Sequence, residues 1–153
     1  MRYWLIKSEP HDVSIDDLAH RPDAPIGWTG VRNYQARNFM RDQMTIGDLA
    51  LFYHSGCARI GVVGVVEITS NAYPDPTQFD PSNYYFDPKA TQETPRWVSV
   101  DMRFVSKGTY VPLSALRAQP ELAELRILAK GSRLSITPVE RADFVAIRAM
   151  LAG

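Results

Sequence analysis

A tryptophan between two glycines, followed by a polar and aromatic segment, combines the residue types in this chain that best suit ligand chemistry. Residues 28–41 contain Trp28, Tyr34, three arginines and no acidic residue. A flat heteroaromatic ring is held by aromatic faces above and below it and by hydrogen-bonding groups along its edge. The arginines would attract an anion. The segment therefore indicates a surface that stacks on a flat ring and attracts negative charge.

Further polar and aromatic residues stand where predicted strands end. Lys7 and Ser8 follow the first strand, and Tyr53, His54 and Ser55 close another. Serine and backbone groups can read the edge of a ring that the aromatic residues stack upon. The alternative is that Trp28 is a core aromatic residue, and residue types alone do not decide between the two interpretations.

The sequence lacks the motifs of several kinds of catalytic and metal site. The chain has no glycine-rich phosphate loop, no G-x-S-x-G elbow and no H-E-x-x-H pattern. His54 and Cys57 are three residues apart at a strand end, where side chains with that spacing point to opposite faces, which argues against a thiol nucleophile. One cysteine and three scattered histidines give no zinc-ligand spacing. No metal and no cofactor are predicted.

Length and composition predict one globular domain over residues 1–153. The chain has 17 basic and 17 acidic residues, so its formal net charge is zero. This excludes a polycation, and nucleic-acid binding would have to use a local patch. A single cysteine and the lack of a signal peptide or an apolar run of membrane length favour a cytoplasmic protein with no membrane association.

The hydrophobic pattern predicts strands and helices that do not alternate regularly enough for a doubly wound sheet. We predict a small mixed β-barrel with helices around it, which is an α+β fold, with strands over residues 3–7, 49–54, 61–69, 97–106 and 134–136. Ser14 and Asn33 have the residue types of helix N-caps, the second helix running from Tyr34 to about Met44. Residues 21–27 are predicted to be a loop, Pro120 to open a helix that ends at Gly131, and residues 140–151 to form the last helix.

A long segment rich in proline, aspartate and tyrosine lies between the strands, over residues 72–95. A loop of this length in a compact domain is usually functional or packed as an ordered excursion. Residues 73–88 could therefore form a surface for a protein partner, which is one alternative function.

Five motifs closely resemble the EVE domain family: YWLIKSEP at residues 3–10, WTGVRNYQARN at 28–38, FYHS at 52–55, AYPD at 72–75 and RLSI at 133–136. The resemblance covers essentially the whole chain, and the family includes bacterial proteins of this length. It implies a PUA-like fold, a distorted and mostly antiparallel β-barrel with peripheral helices. It also implies kinship with PUA, ASCH and YTH domains, which bind RNA or DNA.

The resemblance further implies a reader of modified bases, notably modified cytosine in DNA, with DNA favoured over RNA. Its cleft would be lined by residues of several segments: Lys7, Ser8, Trp28, Val31, Asn33, Tyr34, Tyr53, His54, Ser55, Leu134 and Ser135. Trp28 would be one wall and Tyr34 or Tyr53 the other. Arg32, Arg37 and Arg41 would contact phosphates.

The leading hypothesis is thus a non-catalytic module, and a nucleobase- or nucleotide-processing enzyme is the second alternative. Asp101 on the polar side of its strand and Glu9 after the first strand are its candidate acids. No nucleophile–base pair or metal motif supports catalysis.

Overall fold

The computed structural model describes residues 1–128 and 134–153, and its strands form one mixed sheet. In chain order these are β1 (Tyr3–Ser8), β2 (Ile26–Trp28), β3 (Leu49–His54), β4 (Gly61–Ile68), β5 (Tyr73–Pro74), β6 (Val98–Pro112) and β7 (Ile136–Val139). The sheet order is β2-β6-β4-β3-β1-β7, with β5 paired to β6 beside this path. Only the β1–β3 pair among them is parallel. The predicted α+β class and mostly antiparallel sheet are confirmed.

Bulges curl this sheet into an incompletely closed barrel. The register shifts between Phe52 and Tyr53 in the β3–β4 pair, and again near Gly64 in the β4–β6 pair. A bulge increases the local twist of the strand that carries it. A side chain at Gly64 would meet the backbone oxygen of Ser106, so the close approach of the two strands requires glycine at this position.

Four helices surround the sheet in the described part of the chain: α1 (Ile15–Ala19), α2 (Tyr34–Asp42), α3 (Leu113–Arg117) and α4 (Arg141–Ala152). The predicted N-caps are confirmed. Asp17 N donates to Ser14 Oγ over 3.0 Å in a capping box, and Ala36 N donates to Asn33 Oδ1 over 3.0 Å. No helix within residues 1–128 and 134–153 has the length and apolar character needed to cross a bilayer.

Two hydrophobic clusters lie on opposite faces of the sheet, because side chains alternate along each strand. Trp4 and Ile6 of β1 pack with α2 in the first cluster. Leu5 of β1 packs with α4 in the second cluster. The two helices therefore cover opposite faces.

Three predicted elements differ in the structure. The segment expected to be a loop over residues 21–27 ends in β2, where Trp28 pairs with Val100 of β6. The helix expected from Pro120 is instead two short 3₁₀ turns, Pro120–Leu122 and Arg126–Leu128. Leucines every three residues match the three-residue repeat of a 3₁₀ turn. Its predicted end at Gly131 lies outside the described residues, and the last strand begins at Ile136 rather than at residue 134.

Candidate functional site

A cleft of about 480 Å³ opens where β1 and β3 end. The residues that line it come from the ends of β1, β2 and β3, from the segments that follow β1 and β2, from the tyrosine-rich loop between β5 and β6, and from the residue before β7: Lys7, Ser8, Glu9, Asp12, Val13, Trp28, Thr29, Gly30, Val31, Ser55, Tyr84, Tyr85 and Ser135. The cleft therefore joins segments that are far apart in the sequence.

The floor of the cleft is built by backbone hydrogen bonds between strand ends. Ser55 N donates to Ser8 O over 3.0 Å, and Lys7 N donates to Ser135 O over 2.8 Å. The buried hydroxyl of Ser8 donates to Val13 O over 2.7 Å. Because that bond uses its proton, Ser8 Oγ can offer only lone pairs to a ligand.

One wall is formed by Trp28 and Gly30. Trp28 is 6% exposed and belongs to the first hydrophobic cluster, so it is both a core residue and a cleft residue. Gly30 has a φ of 87°, and a Cβ there would lie 2.7 Å from the ring of Tyr85. Only glycine fits both the backbone conformation and this close packing.

A buried carboxylate holds the two sides of the cleft together. Asp75 is 0% exposed and accepts hydrogen bonds from Gly30 N over 2.9 Å and from Arg32 Nη1 over 3.1 Å. It also accepts from the backbone and the hydroxyl of Thr77. Arg32 Nη2 in turn donates to Tyr85 O over 2.7 Å. The Asp75–Arg32 pair therefore fixes Tyr85 relative to Gly30.

Two tyrosines and two carboxylates form the rim. Tyr84 is 93% exposed and its ring meets that of Tyr85 edge-on at 5.2 Å between centroids. The Tyr85 hydroxyl donates to Asp12 Oδ2 over 3.3 Å, and burial together with the nearby Asp12 charge raises the pKa of Tyr85. Glu9 and Asp12 are exposed and both approach the imidazole of His11, at 3.4 and 3.7 Å. The rim is therefore acidic, whereas the floor carries Lys7.

Six of the residues predicted to form the pocket do meet in this cleft: Lys7, Ser8, Trp28, Val31, Ser55 and Ser135. Two of the other predicted residues, Asn33 and Leu134, make contacts outside the cleft. The Asn33 side chain caps α2. Leu134 packs against the first hydrophobic cluster. Neither lines the cleft, so their assignment to it is corrected.

The predicted second aromatic wall is also corrected. Tyr53 is 2% exposed and lies in the second hydrophobic cluster, on the opposite face of the sheet from Trp28, because its place in β3 points it there. Tyr34 stacks on Trp97 at 4.7 Å, and the guanidinium of Arg37 lies 4.7 Å from its ring. The tyrosines that line the cleft are instead Tyr84 and Tyr85.

His54 has a structural partner instead of a place in the cleft. Its Nε2 accepts a hydrogen bond from Ile15 N, the first residue of α1, over 3.1 Å. Burial lowers the pKa of His54 below its ordinary value of 6.5, and the nearby Asp16 charge only partly opposes this. The neutral imidazole thus holds α1 against β3.

A depressed pKa makes stability depend on pH with a defined sign. Below pH 6.5 the unfolded chain binds a proton at His54 more readily than the folded chain, so the free energy of unfolding should fall as the pH decreases from there towards the folded pKa. Urea titrations across this range measure it. His54→Gln should remove this part of the slope, whereas His20→Gln, at an exposed position, should retain it. An equal slope in both variants would contradict the assignment.

The arginines predicted to contact phosphates have internal partners. Arg32 donates to Asp75, Thr77, Val31 O and Tyr85 O, so its role as a phosphate contact is corrected to that of a clamp. Arg37 donates to Arg96 O over 2.9 Å and to Asn38.

Arg41 forms an exposed ion pair with Asp42 over 2.8 Å. That pair offsets the charge of Arg41. Neither Arg37 nor Arg41 lines the cleft, and their contact with phosphates stays a prediction.

Sequence reasoning missed Tyr84, Tyr85 and the buried Asp75 as residues that form the cleft. Asp75 followed by Thr77 at two residues' distance is a side-chain turn pattern, and Asp75 Oδ1 indeed accepts from Thr77 N over 2.8 Å. The pattern predicts a turn but not its partner Arg32. Asp101, the candidate acid of an enzyme, accepts from the Tyr73 hydroxyl over 2.6 Å and does not line the cleft.

Comparison with known proteins gives concordant matches. The family model described as EVE domain matches residues 2–150. Thymocyte nuclear protein 1 of Mus musculus is 39% identical over 160 residues, which cover 93% of this chain and 70% of the mouse protein. A crystal structure of a protein from Pseudomonas syringae is 46% identical, with a TM-score of 0.92 over 97% of this chain and 98% of that one.

Human THYN1, solved in complex with DNA containing 5-methylcytosine, is 36% identical with a TM-score of 0.90, covering 100% of this chain and 99% of that one. An ASCH protein from Zymomonas mobilis, at 9% identity and a TM-score of 0.59, shares the fold alone. The PUA-like fold and the resemblance stated from the motifs are confirmed. The chain belongs to the EVE domain family.

Proposed function

We propose that this protein is a non-catalytic DNA-binding module that reads a modified base, with modified cytosine favoured. The observation that carries the proposal is the cleft itself, which is lined by Trp28, Tyr84 and Tyr85 together with hydrogen-bonding groups. The similarity to human THYN1, whose structure contains 5-methylcytosine DNA, supports the same ligand class.

The cleft suits a base that has left its stack. At about 480 Å³ it has room for a base and part of its sugar, and Trp28, Tyr84 and Tyr85 contribute aromatic rings to its lining. Taking a base out of a duplex costs a few kcal/mol, and a stack on an aromatic side chain contributes about 1–3 kcal/mol. The stacking free energy is therefore similar to the cost of unstacking the base, so we expect modest affinity for DNA. A small group added to the base then changes that affinity by a large factor.

The polar groups of the cleft match a cytosine edge, which presents an amino donor beside ring acceptors. Carboxylates accept hydrogen bonds from the cytosine amino group, and Glu9 and Asp12 offer them at the rim. Lys7 offers a donor for the acceptor atoms, and Ser8 Oγ offers lone pairs.

The alternatives gain less from the structure. The carboxylates of the cleft are the exposed Glu9 and Asp12, but Asp12 accepts from Tyr85 and Ser8 Oγ donates to Val13 O, so these groups do not form a nucleophile–base pair. The loop over residues 73–88 contributes Tyr84 and Tyr85 to the cleft, so the proposal assigns it to base binding instead of protein docking.

Binding of oligonucleotides with and without 5-methylcytosine, in single- and double-stranded form, tests the proposal by fluorescence anisotropy. Wild-type protein should bind the modified form more tightly. Tyr84→Ala should weaken that binding by about 5- to 150-fold, because it removes one exposed stacking face worth about 1–3 kcal/mol. Tyr84 is 93% exposed, so the fold should be unaffected.

Tyr34→Ala is the matched control, since Tyr34 is also an exposed tyrosine but does not line the cleft. It should leave the preference for 5-methylcytosine unchanged. Trp28→Ala should abolish binding, although it also removes a core side chain. Equal affinity for modified and unmodified DNA in the wild type would refute the proposal.

A further inference from the structure

An exposed arginine with a fixed orientation lies outside the cleft. The guanidinium of Arg59 sits over the ring of Tyr110, at 4.5 Å from its centroid. The Tyr110 hydroxyl donates to Ile60 O over 2.8 Å, which holds the ring in place. The guanidinium plane of Arg59 is therefore backed on one side by an aromatic ring, while the residue remains exposed.

The neighbourhood of this arginine carries uncompensated positive charge. A surface pocket of about 430 Å³ beside it is lined by Tyr110 and Arg117 among others. Within the described ranges, residues 1–128 and 134–153, neither Arg59 nor Arg117 forms an ion pair with a carboxylate. This distinguishes them from Arg32 and Arg41, which do.

The register of the sheet puts this patch at the same end of the sheet as the cleft. Ser8 at the end of β1 pairs with His54, His54 pairs with Gly61, and Gly61 pairs with Pro112. Three strand spacings separate β1 from β6, which is about 14 Å along the curved sheet. Tyr110 also packs against the first hydrophobic cluster, on the face that carries Trp28.

We propose that Arg59, backed by Tyr110 and joined by Arg117, is a second subsite that binds a nucleotide flanking the one in the cleft. This inference rests on the proposed function. A guanidinium plane stacks on a base, and its N–H groups bind phosphate oxygens. At about 3.4 Å per nucleotide, about 14 Å corresponds to roughly four steps of a helical strand. An extended strand would cover the distance in fewer.

The acidic rim of the cleft makes a basic subsite beside it favourable for binding a nucleic-acid strand. The side chain of Glu9 packs against Gly56, in the loop that leads from Ser55 to Arg59. A nucleic-acid strand that follows this edge passes a carboxylate that repels its phosphates. The attraction at Arg59 and Arg117 offsets that repulsion. Because this subsite lies on one side of the cleft, it binds nucleotides on only one side, 5′ or 3′, of the base in the cleft.

The position of the modified base in a strand tests this direction. We would use DNA strands of about nine nucleotides with 5-methylcytosine at the 5′ end, in the middle or at the 3′ end, in the form that binds more tightly in the experiment above. Arg59→Ala should weaken binding about tenfold for the middle position and for one end. It should have no effect at the other end, where no nucleotide reaches the subsite.

Comparison of Arg59→Lys with Arg59→Ala separates the contribution of charge from that of stacking. Arg59→Lys should retain the salt dependence of the wild type and recover only part of its affinity, because lysine keeps the charge but not the plane. Arg59→Ala should reduce the slope of log affinity against log salt by about 0.7 for a single strand. Arg148→Ala is the matched control, because Arg148 also lies over an aromatic ring, that of Phe144 at 5.8 Å, and sits on α4 beside Tyr3 at the other end of β1.

The outcomes distinguish the two proposals. If modified DNA is still preferred but Arg59→Ala has no effect, or the same effect at all three positions, the flanking subsite is refuted and the proposed function stands. An effect of Arg148→Ala equal to that of Arg59→Ala would also refute the subsite. If the wild type binds modified and unmodified strands alike, the proposed function fails, and this inference fails with it.

Discussion

Asp75→Ala should lower the free energy of unfolding by about 3–5 kcal/mol, because it leaves the Arg32 guanidinium in a largely buried site without its counter-charge. Asp75 is fully buried, and its ion pair with Arg32 measures 3.1 Å. The substitution also removes the acceptors of Gly30 N and of Thr77. Urea denaturation followed by tryptophan fluorescence measures the change.

Two variants make this result specific. Asp42→Ala removes a carboxylate that pairs with Arg41 at the surface, and it should leave the unfolding midpoint unchanged. Asp75→Asn should fall between the two, because the amide keeps an acceptor oxygen for Gly30 N while losing the charge. If Asp75→Ala were as stable as Asp42→Ala, the clamp assigned to Asp75 would be wrong.

Gln78→Leu should lower the free energy of unfolding by roughly 2–6 kcal/mol, because two backbone N–H groups, those of Arg96 and Trp97, lose their acceptor and each such loss costs about 1–3 kcal/mol. Gln78 is 0% exposed. Its Oε1 accepts from Arg96 N and Trp97 N at 2.9 Å each, and its Nε2 donates to Asp75 O and Trp97 O at 2.8 Å each. One amide therefore ties the loop after β5 to the start of β6.

Hydrogen exchange locates the effect of Gln78→Leu. The amides of Arg96 and Trp97 should exchange faster relative to those of β1 than in the wild type, because their acceptor is gone. Gln43→Leu is the matched control, since Gln43 is exposed and accepts a side-chain hydrogen bond from Arg2. Uniform loss of protection across the whole sheet would argue against a local role for Gln78.

These two predictions bear on the cleft because Tyr84 and Tyr85 belong to the same loop. Arg32 holds Tyr85 O, and Asp75 holds Arg32. We therefore expect both Asp75→Ala and Gln78→Leu to weaken DNA binding even where the protein remains folded. Stability and binding should fall together in these variants, whereas Tyr84→Ala should affect binding alone.

Local patterns predicted the elements whose cause is local. The caps at Ser14 and Asn33, the strand over residues 49–54 and the last helix follow from side-chain hydrogen bonds and hydrophobic periodicity within a few residues. The floor of the cleft, with Lys7, Ser8 and Ser55, was likewise predicted from polar residues at strand ends, aided by the family motifs.

Pairing across the chain decided what local patterns could not. Trp28 lies in a strand instead of a loop because β6 pairs with it, 72 residues away at Val100. Tyr53 and Tyr34 were predicted walls on the basis of residue type. The face of β3 on which Tyr53 lies and the contact of Tyr34 with Trp97 depend on the assembled sheet.

The motifs in the sequence identified the family and, through that resemblance, implied the mostly antiparallel sheet. Local patterns of capping, alternation and strand-end polarity predicted the helix starts and most strands, because these physical requirements act over short distances. Only the tertiary structure showed that Tyr84 and Tyr85 line the cleft and that Arg32, Arg37 and Arg41 have partners within the protein. A loop that starts 45 residues after Gly30 folds back onto it through Asp75. Such long-range contacts are set by the packing of the whole chain, and a single sequence carries no local pattern for them.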